Sequence, residues 1–315
     1  MNPIKHKTAM KHLIKRTLLP VLLAGFVTGQ CFAQAHATHD EHDHHSITIL
    51  AEDYAFQAPD RIPSGWTTIQ YENQGNEPHF FVLAKVPEGN TFDEYATDVV
   101  LPFNDVWYAL RDDGISVEQA FEQLGATLPG WFWTVEFMGG AGVISPGLTS
   151  DVTVNLEPGT YVLECYIKTE DGEMHNMEGM LRELTVTEES SGVAAPVADI
   201  QITLSNFDMD VQGDLSPGSR TVSVYVKENP EEGFGHNVHV ARLEPDTNVD
   251  ELVQWMNFFD VDGLMAPDPS IFIGGMHLLP AGHTGYFTAD LEPGRYLFVS
   301  EYTGHLGVMQ EVTVE

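Results

Sequence analysis

The sequence predicts an all-β chain built from two tandem sandwich or barrel domains, the first carrying a helical insertion. Three observations carry this reading. Short runs rich in β-branched and aromatic residues are punctuated by Pro, Gly and Asn turn signals. A set of turn motifs occurs twice at a constant offset of 135 residues. Between residues 91 and 128 the strand pattern gives way to two helix starts.

Residues 1–35 carry five basic side chains (Lys5, Lys7, Lys11, Lys15, Arg16), an apolar run from Leu18 to Val27, and Ala33-Gln34-Ala35. A basic head, an apolar core and a small-x-small site predict a secretory signal peptide. The core is too short, and too interrupted by Pro20, for a membrane span, so none is expected after cleavage. The expected location is periplasmic or secreted. Residues 36–45 hold His36, His39, His42, His44 and His45 among Asp and Glu, five of the chain's 14 histidines. Such a tract predicts a disordered tail with metal affinity and no packed core.

The first domain is placed at 46–188. Its expected strands are Ile47–Leu50, Thr67–Tyr71, Phe80–Lys85, Trp131–Phe137, Val152–Leu156, Tyr161–Cys165 and Leu181–Thr187. Thr91-Phe92-Asp93-Glu94 and Ser116-Val117-Glu118-Gln119 both fit a capping box, in which a side-chain oxygen and a residue three places on satisfy each other's backbone donors. They predict helices within 91–128. Residues 189–198 lack periodicity and read as a linker, which leaves 199–315 for the second domain. There Gly139-Gly140, Pro146-Gly147, Leu156-Glu157-Pro158-Gly159 and Tyr161 are answered by Gly274-Gly275, Ala281-Gly282, Leu291-Glu292-Pro293-Gly294 and Tyr296. This is a duplication.

Charge restricts the partners. The leader takes five of the 14 basic residues and none of the 47 acidic ones, so the processed chain has a formal net charge of about −38. Such a surface repels nucleic acid and anionic lipid, and favours cationic partners and metal ions.

Chemistry-bearing residues concentrate in one place. Cys165 ends an apolar strand, His175 and Met180 follow in the same stretch, and His79 lies in Glu77-Pro78-His79-Phe80. The first domain has one Cys and two His, and all fall in this constellation. A thiolate with two imidazoles and a weak thioether suits a trigonal copper site. Met174, Met177 and Met180 recur every third residue around His175 and add soft donors that favour Cu(I). An exported chain left with one unpaired thiol is itself a pointer to a ligand or reactive group.

These residues resemble a known family. Pro78-His79-Phe80 looks like the first-ligand strand of the cupredoxins. Pro158-Gly159-Thr160-Tyr161 leading to Cys165 resembles their second-ligand strand, and His175 to Val186 resembles their His-x-x-x-Gly-Met ending. The resemblance covers both halves and implies two Greek-key β-sandwiches. It implies His79, Cys165 and His175 as equatorial copper ligands and Met180 as the axial one. Two departures stand out. Nine residues separate Cys165 from His175, where the family places only a few. Phe80 occupies a position that is often polar in the family, which removes a hydrogen bond expected around the site. In the second copy Ser300 replaces the cysteine, so His236, His239, His277, His283 and His305 read as scaffold and loop residues.

The expected function is that of a copper protein carrying electrons or sequestering and delivering copper, with a redox protein or a copper donor or acceptor as partner. The alternative is a non-metal binding module with an adventitious His-rich tail. An enzyme is not expected. Cys165 is flanked by Glu164 and Tyr166 rather than by histidines, and His236-Asn237-Val238-His239 is not a His-x-His pair. Asp260-Val261-Asp262-Gly263 is too short for a calcium loop.

Overall fold

Alternation builds the sheets. In Arg61–Asn73 the side chains of Thr67, Ile69, Tyr71 and Asn73 are buried, while Thr68, Gln70 and Glu72 between them are only half-buried. That is the period of two expected of a strand with one face on a core. The computed structural model describes residues 46–231 and 233–315. The leader and the tail with His36, His39, His42, His44 and His45 lie outside the described residues.

The first half contains β1 (Ser46–Glu52), β2 (Ala55–Gln57), β3 (Arg61–Asn73), β4 (Val82–Lys85), β5 (Glu136–Phe137), β6 (Thr149–Leu156), β7 (Gly159–Glu164) and β8 (Leu181–Ser190). The long β3 serves two layers. Its start runs parallel to β8, and its end runs antiparallel to β6 and parallel to β1. β7 pairs with β8 and β4, and β4 with β5. The second half repeats the plan with β9 (Ile200–Ser205), β10 (Asp208–Gly213), β11 (Gly218–Glu228), β12 (His236–Leu243), β13 (Ile271–Leu279), β14 (Thr284–Leu291), β15 (Gly294–Val299) and β16 (Met309–Val314). The result is two Greek-key β-sandwiches. They are not separate beads: β14 pairs with β6 at Tyr286–Thr153 and Phe287–Val152, which joins twelve strands into one sheet.

The repeat has a physical basis. A Cβ on Gly140 would overlap the carbonyl oxygen of Phe81, and one on Gly275 would overlap that of Val238. Both glycines have positive φ, so the same close approach is made in each copy. Tyr161 and Tyr296 likewise donate their hydroxyls to the backbone of Glu157 and Glu292, four residues upstream in each case.

The insertion is helical, and both capping boxes form. One helical run extends from Phe92 to Asp113 through alternating α and π turns and stops at Gly114, which is left-handed. A second helix spans Val117–Thr127. Its shorter counterpart in the second half is Val249–Met256. The expected strand at Trp131–Phe137 is a correction: Gly130–Thr134 is a 3-10 turn and only Glu136–Phe137 is strand. Pro129 sets the entry angle, and the Thr134 hydroxyl bonds back to Trp131 O, which closes a turn that aromatic β-propensity alone does not reveal. β8 continues to Ser190, and Ser191 is tied to Ser64 and Trp66. Among the described residues no helix is long and apolar enough to cross a membrane.

Candidate metal centre

Backbone bonds place three of the expected residues together. His79 exchanges both main-chain bonds with Ile144. Cys165 follows β7 directly, and its N–H donates to Met180 O at 3.1 Å. His175 opens a short helical turn, donates its N–H to Ile167 O at 2.8 Å, and accepts at its own carbonyl from Met180 N at 2.8 Å. One donor atom from each of His79, Cys165 and His175 lies within 4.8 Å of the others, and all three residues are fully buried. Met180, also fully buried, joins them through its backbone.

The protons sit where a cation requires them. His79 Nε2 lies 2.8 Å from Asp53 Oδ1, and His175 Nε2 lies 2.8 Å from Glu77 Oε2. A carboxylate accepts only, so each ring carries its proton on Nε2. With both rings neutral the two Nδ1 atoms are bare and face each other at 3.1 Å, with the Cys165 sulfur 3.7 Å from that of His175. Two lone pairs at that distance repel unless a cation lies between them. A ligating imidazole normally gives its other N–H to a carboxylate or carbonyl, which is the arrangement here. Soft sulfur with two imidazoles fits copper.

Burial sets the ionisation. The Cys165 thiol is pushed up to about 12 by burial, against the pull of backbone N–H groups of Phe80 and Ile167. His79 is driven down to about 4 by burial and by the neighbouring His175, with Asp53 opposing. Burial works to raise Asp53 as well, but the Asn76 backbone, His79 and the Asn76 amide outweigh it and hold the carboxyl below its ordinary value. Metal uptake by this set therefore releases the thiol proton.

Asp53 and Glu77 carry no motif, and Glu77 stands out in the sequence only by its position two residues before His79. They supply the acceptors for the two ring N–H groups. The buried Asn73 organises their turn: its amide donates to the carbonyls of Glu77 and Ile144, and its Oδ1 accepts from Gly75 N.

The nine-residue loop is braced. Lys168 exchanges backbone bonds with Leu264 and Ala266 of the second half. Its buried ammonium donates to the carbonyls of Phe258 (2.9 Å), Gly263 (2.6 Å) and Asp260 (3.4 Å), and lies 3.7 Å from the Trp107 ring centroid. Trp107 and Arg111 of the insertion bond to Gly172 O, and Tyr108 bonds to Glu173. The extra length thus buys contacts with both the insertion and the second half.

The second half presents His239, His277 and Glu301 as another buried group, also within 4.8 Å. Here the protons are misplaced for a metal. His239 Nδ1 accepts from Val143 N at 3.0 Å, and His277 Nδ1 accepts from Leu278 N at 2.8 Å. Both rings therefore carry hydrogen on the Nε2 atoms that would have to ligate. His239 instead holds the backbone of the first half. His283 and His305 are exposed.

No family model and no curated protein matches this chain. Solved structures similar to it include auracyanin A, a "blue" copper protein from Chloroflexus aurantiacus, at 19% identity, covering 45% of this chain and 98% of that one with a TM-score of 0.28. An azurin from Methylomonas sp. strain J is 16% identical and covers 45% and 96%, with a TM-score of 0.26. A multicopper oxidase at 15% identity covers 85% and 88%, with a TM-score of 0.23. By its own strand order, its internal repeat and the placement of His79, Cys165 and His175 upon it, the chain is a tandem pair of cupredoxin-like sandwiches.

Proposed function

We propose that the chain is an exported electron-carrying copper protein, with one ion held by His79, Cys165 and His175 and with Met180 as the weak axial donor. The observation that carries this reading is the pair of bare Nδ1 atoms facing each other beside a buried sulfur, with both Nε2 protons committed to carboxylates. Copper bound there supplies one-electron chemistry. The residues hold the donor set still: His79, Cys165 and His175 are each fixed by main-chain bonds, and the Cys165–His175 loop is pinned by Lys168 and Trp107. A site that resists rearrangement suits electron transfer better than release of the ion.

The acidic surface supports a redox partner with a basic docking face, and the tail histidines support capture of copper from a donor. In this reading the chain carries electrons and is not itself an enzyme.

The test is titration of the full chain with Cu(II), read by visible absorption, beside Cys165→Ser. An intense thiolate-to-copper band that reaches one equivalent and is lost in the variant is expected. The tail cannot produce it, since it has no sulfur. Absence of the band with no binding of Cu(I) would sink the proposal in favour of a non-metal binding module.

A further inference from the structure

A cavity of about 90 Å³ lies between the insertion, the Cys165–His175 loop and the second half. The metal reading does not use it. Its wall is aromatic, with Phe103, Phe137, Phe234 and Tyr302 half-buried and Phe258 buried. No Lys, Arg or His is among its described lining residues, but two carboxylates are, Glu164 and Glu301, each only 7% exposed.

The carboxylates differ. Glu164 is satisfied at both oxygens, by the Asn176 amide at 2.8 Å and the Tyr95 hydroxyl at 3.1 Å. Glu301 receives the Tyr166 hydroxyl at 2.8 Å and the Asn237 amide at 3.2 Å, both on Oε2. Its Oε1 accepts no hydrogen bond among the described residues. A cation beside this donor-free oxygen would supply the partner that the described residues do not. Burial pushes Glu301 up to about 7, against the Tyr166 and Asn237 hydrogen bonds and the Lys168 ammonium, which pull it down.

Aromatic faces attract cations, most strongly when water is excluded. This wall already does so from outside the cavity: the Lys168 ammonium lies 4.9 Å from the Phe258 ring centroid. Set beside an engineered cavity of about 150 Å³ that takes benzene, this volume suits a compact ion of about five heavy atoms.

We propose that this cavity binds a small alkylammonium ion, with its charge beside Glu301 Oε1 and its alkyl groups against the phenyl rings. The site is independent of the copper reading, although Glu164 and Tyr166 flank Cys165 in sequence and Met174 and Asn176 flank His175.

The experiment is calorimetric titration of the metal-free full chain with tetramethylammonium chloride at fixed physiological salt. tert-Butanol is the uncharged counterpart of similar size, and sodium chloride is the blank. Saturable one-to-one binding of tetramethylammonium, at least tenfold tighter than tert-butanol, is expected. Glu301→Gln should weaken it at least tenfold, which separates the cavity from cation binding by the acidic surface. Equal binding of the alcohol, no saturable binding of either, or unchanged binding in a folded Glu301→Gln would each overturn the proposal. The wild-type contrast decides it even if that variant does not fold.

Discussion

Replacing Lys168 with Met tests whether the second half holds the ligand loop. Methionine keeps the length and apolar packing of the stem but removes every N–H donor. Two of the three lost bonds are short, to Phe258 O at 2.9 Å and Gly263 O at 2.6 Å. At about 1.5–3 kcal/mol for a bond to a charged group, they contribute roughly 3–6 kcal/mol. Burial of the ammonium works the other way: it pushes Lys168 down to about 7 from its ordinary 10.5, an opposing effect of the same order. The carbonyls decide the balance. Methionine leaves both aimed into a buried space without a donor, at about 1–3 kcal/mol each. The net expectation is a loss of about 2–3 kcal/mol, or roughly 4–5 °C in Tm for a body of this size. Denaturation followed by circular dichroism measures it. The second readout is the thiolate-to-copper band, which should broaden and shift as the loop between Cys165 and His175 loosens. An unchanged Tm together with an unchanged band would refute the bracing argument.

Glu77→Gln and Asp53→Asn keep an acceptor for each Nε2–H but remove the negative charge. Each is expected to weaken Cu(II) binding by roughly 10–100-fold and to affect Cu(I) less, so potentiometry should record a higher reduction potential. A Cβ at Gly75 would overlap Asp53 Oδ1 and stand 2.7 Å from His79 Nε2. Gly75→Ala should therefore displace Asp53, destabilise the protein by about 1–3 kcal/mol and reproduce the Asp53→Asn potential; a potential equal to the wild type's would count against the role given to Asp53. The metal-free protein should lose stability in acid. His79 titrates at about 4 folded against 6.5 unfolded, so above pH 6.5 both states are neutral, and between 6.5 and 4 only the unfolded chain takes the proton. That removes about 3 kcal/mol across the window, and His239, driven to about 3 by burial, extends the loss to lower pH. Thermal melts between pH 7 and 4 check this, and a flat profile would contradict it.

The parts of the site legible in the sequence are those written as local patterns. Cys165, His175 and Met180 share one stretch, and His79 is the only other histidine of residues 46–188. The capping boxes at Thr91 and Ser116 are four-residue signals and form as written. The duplication shows in glycines whose backbone the fold forces to approach a carbonyl. What stayed hidden depends on distance in the chain. Asp53 meets His79 across 26 residues, and Lys168 meets Gly263 across 95, with no spacing rule to announce either. Lys168 looks like a solvated loop residue until the second half closes over it. His277 and Glu301 become neighbours only through the fold, and the orientation of their protons cannot be read from residue type. The aromatic run at Trp131–Phe137 misleads because propensity favours a strand where Pro129 directs a turn.

The continuous bracing of the Cys165–His175 loop binds the history of the two copies together. Ser300 stands where the first copy has its thiol, His236 stands where it has His79, and His239, which matches Val82, holds the main chain of its neighbour. A lineage that discarded the second copy would leave Lys168 without Phe258 and Gly263, and would have to shorten the loop in the same step. The copy without the thiol therefore acts as a structural clamp on the ligand loop of the copy that has it.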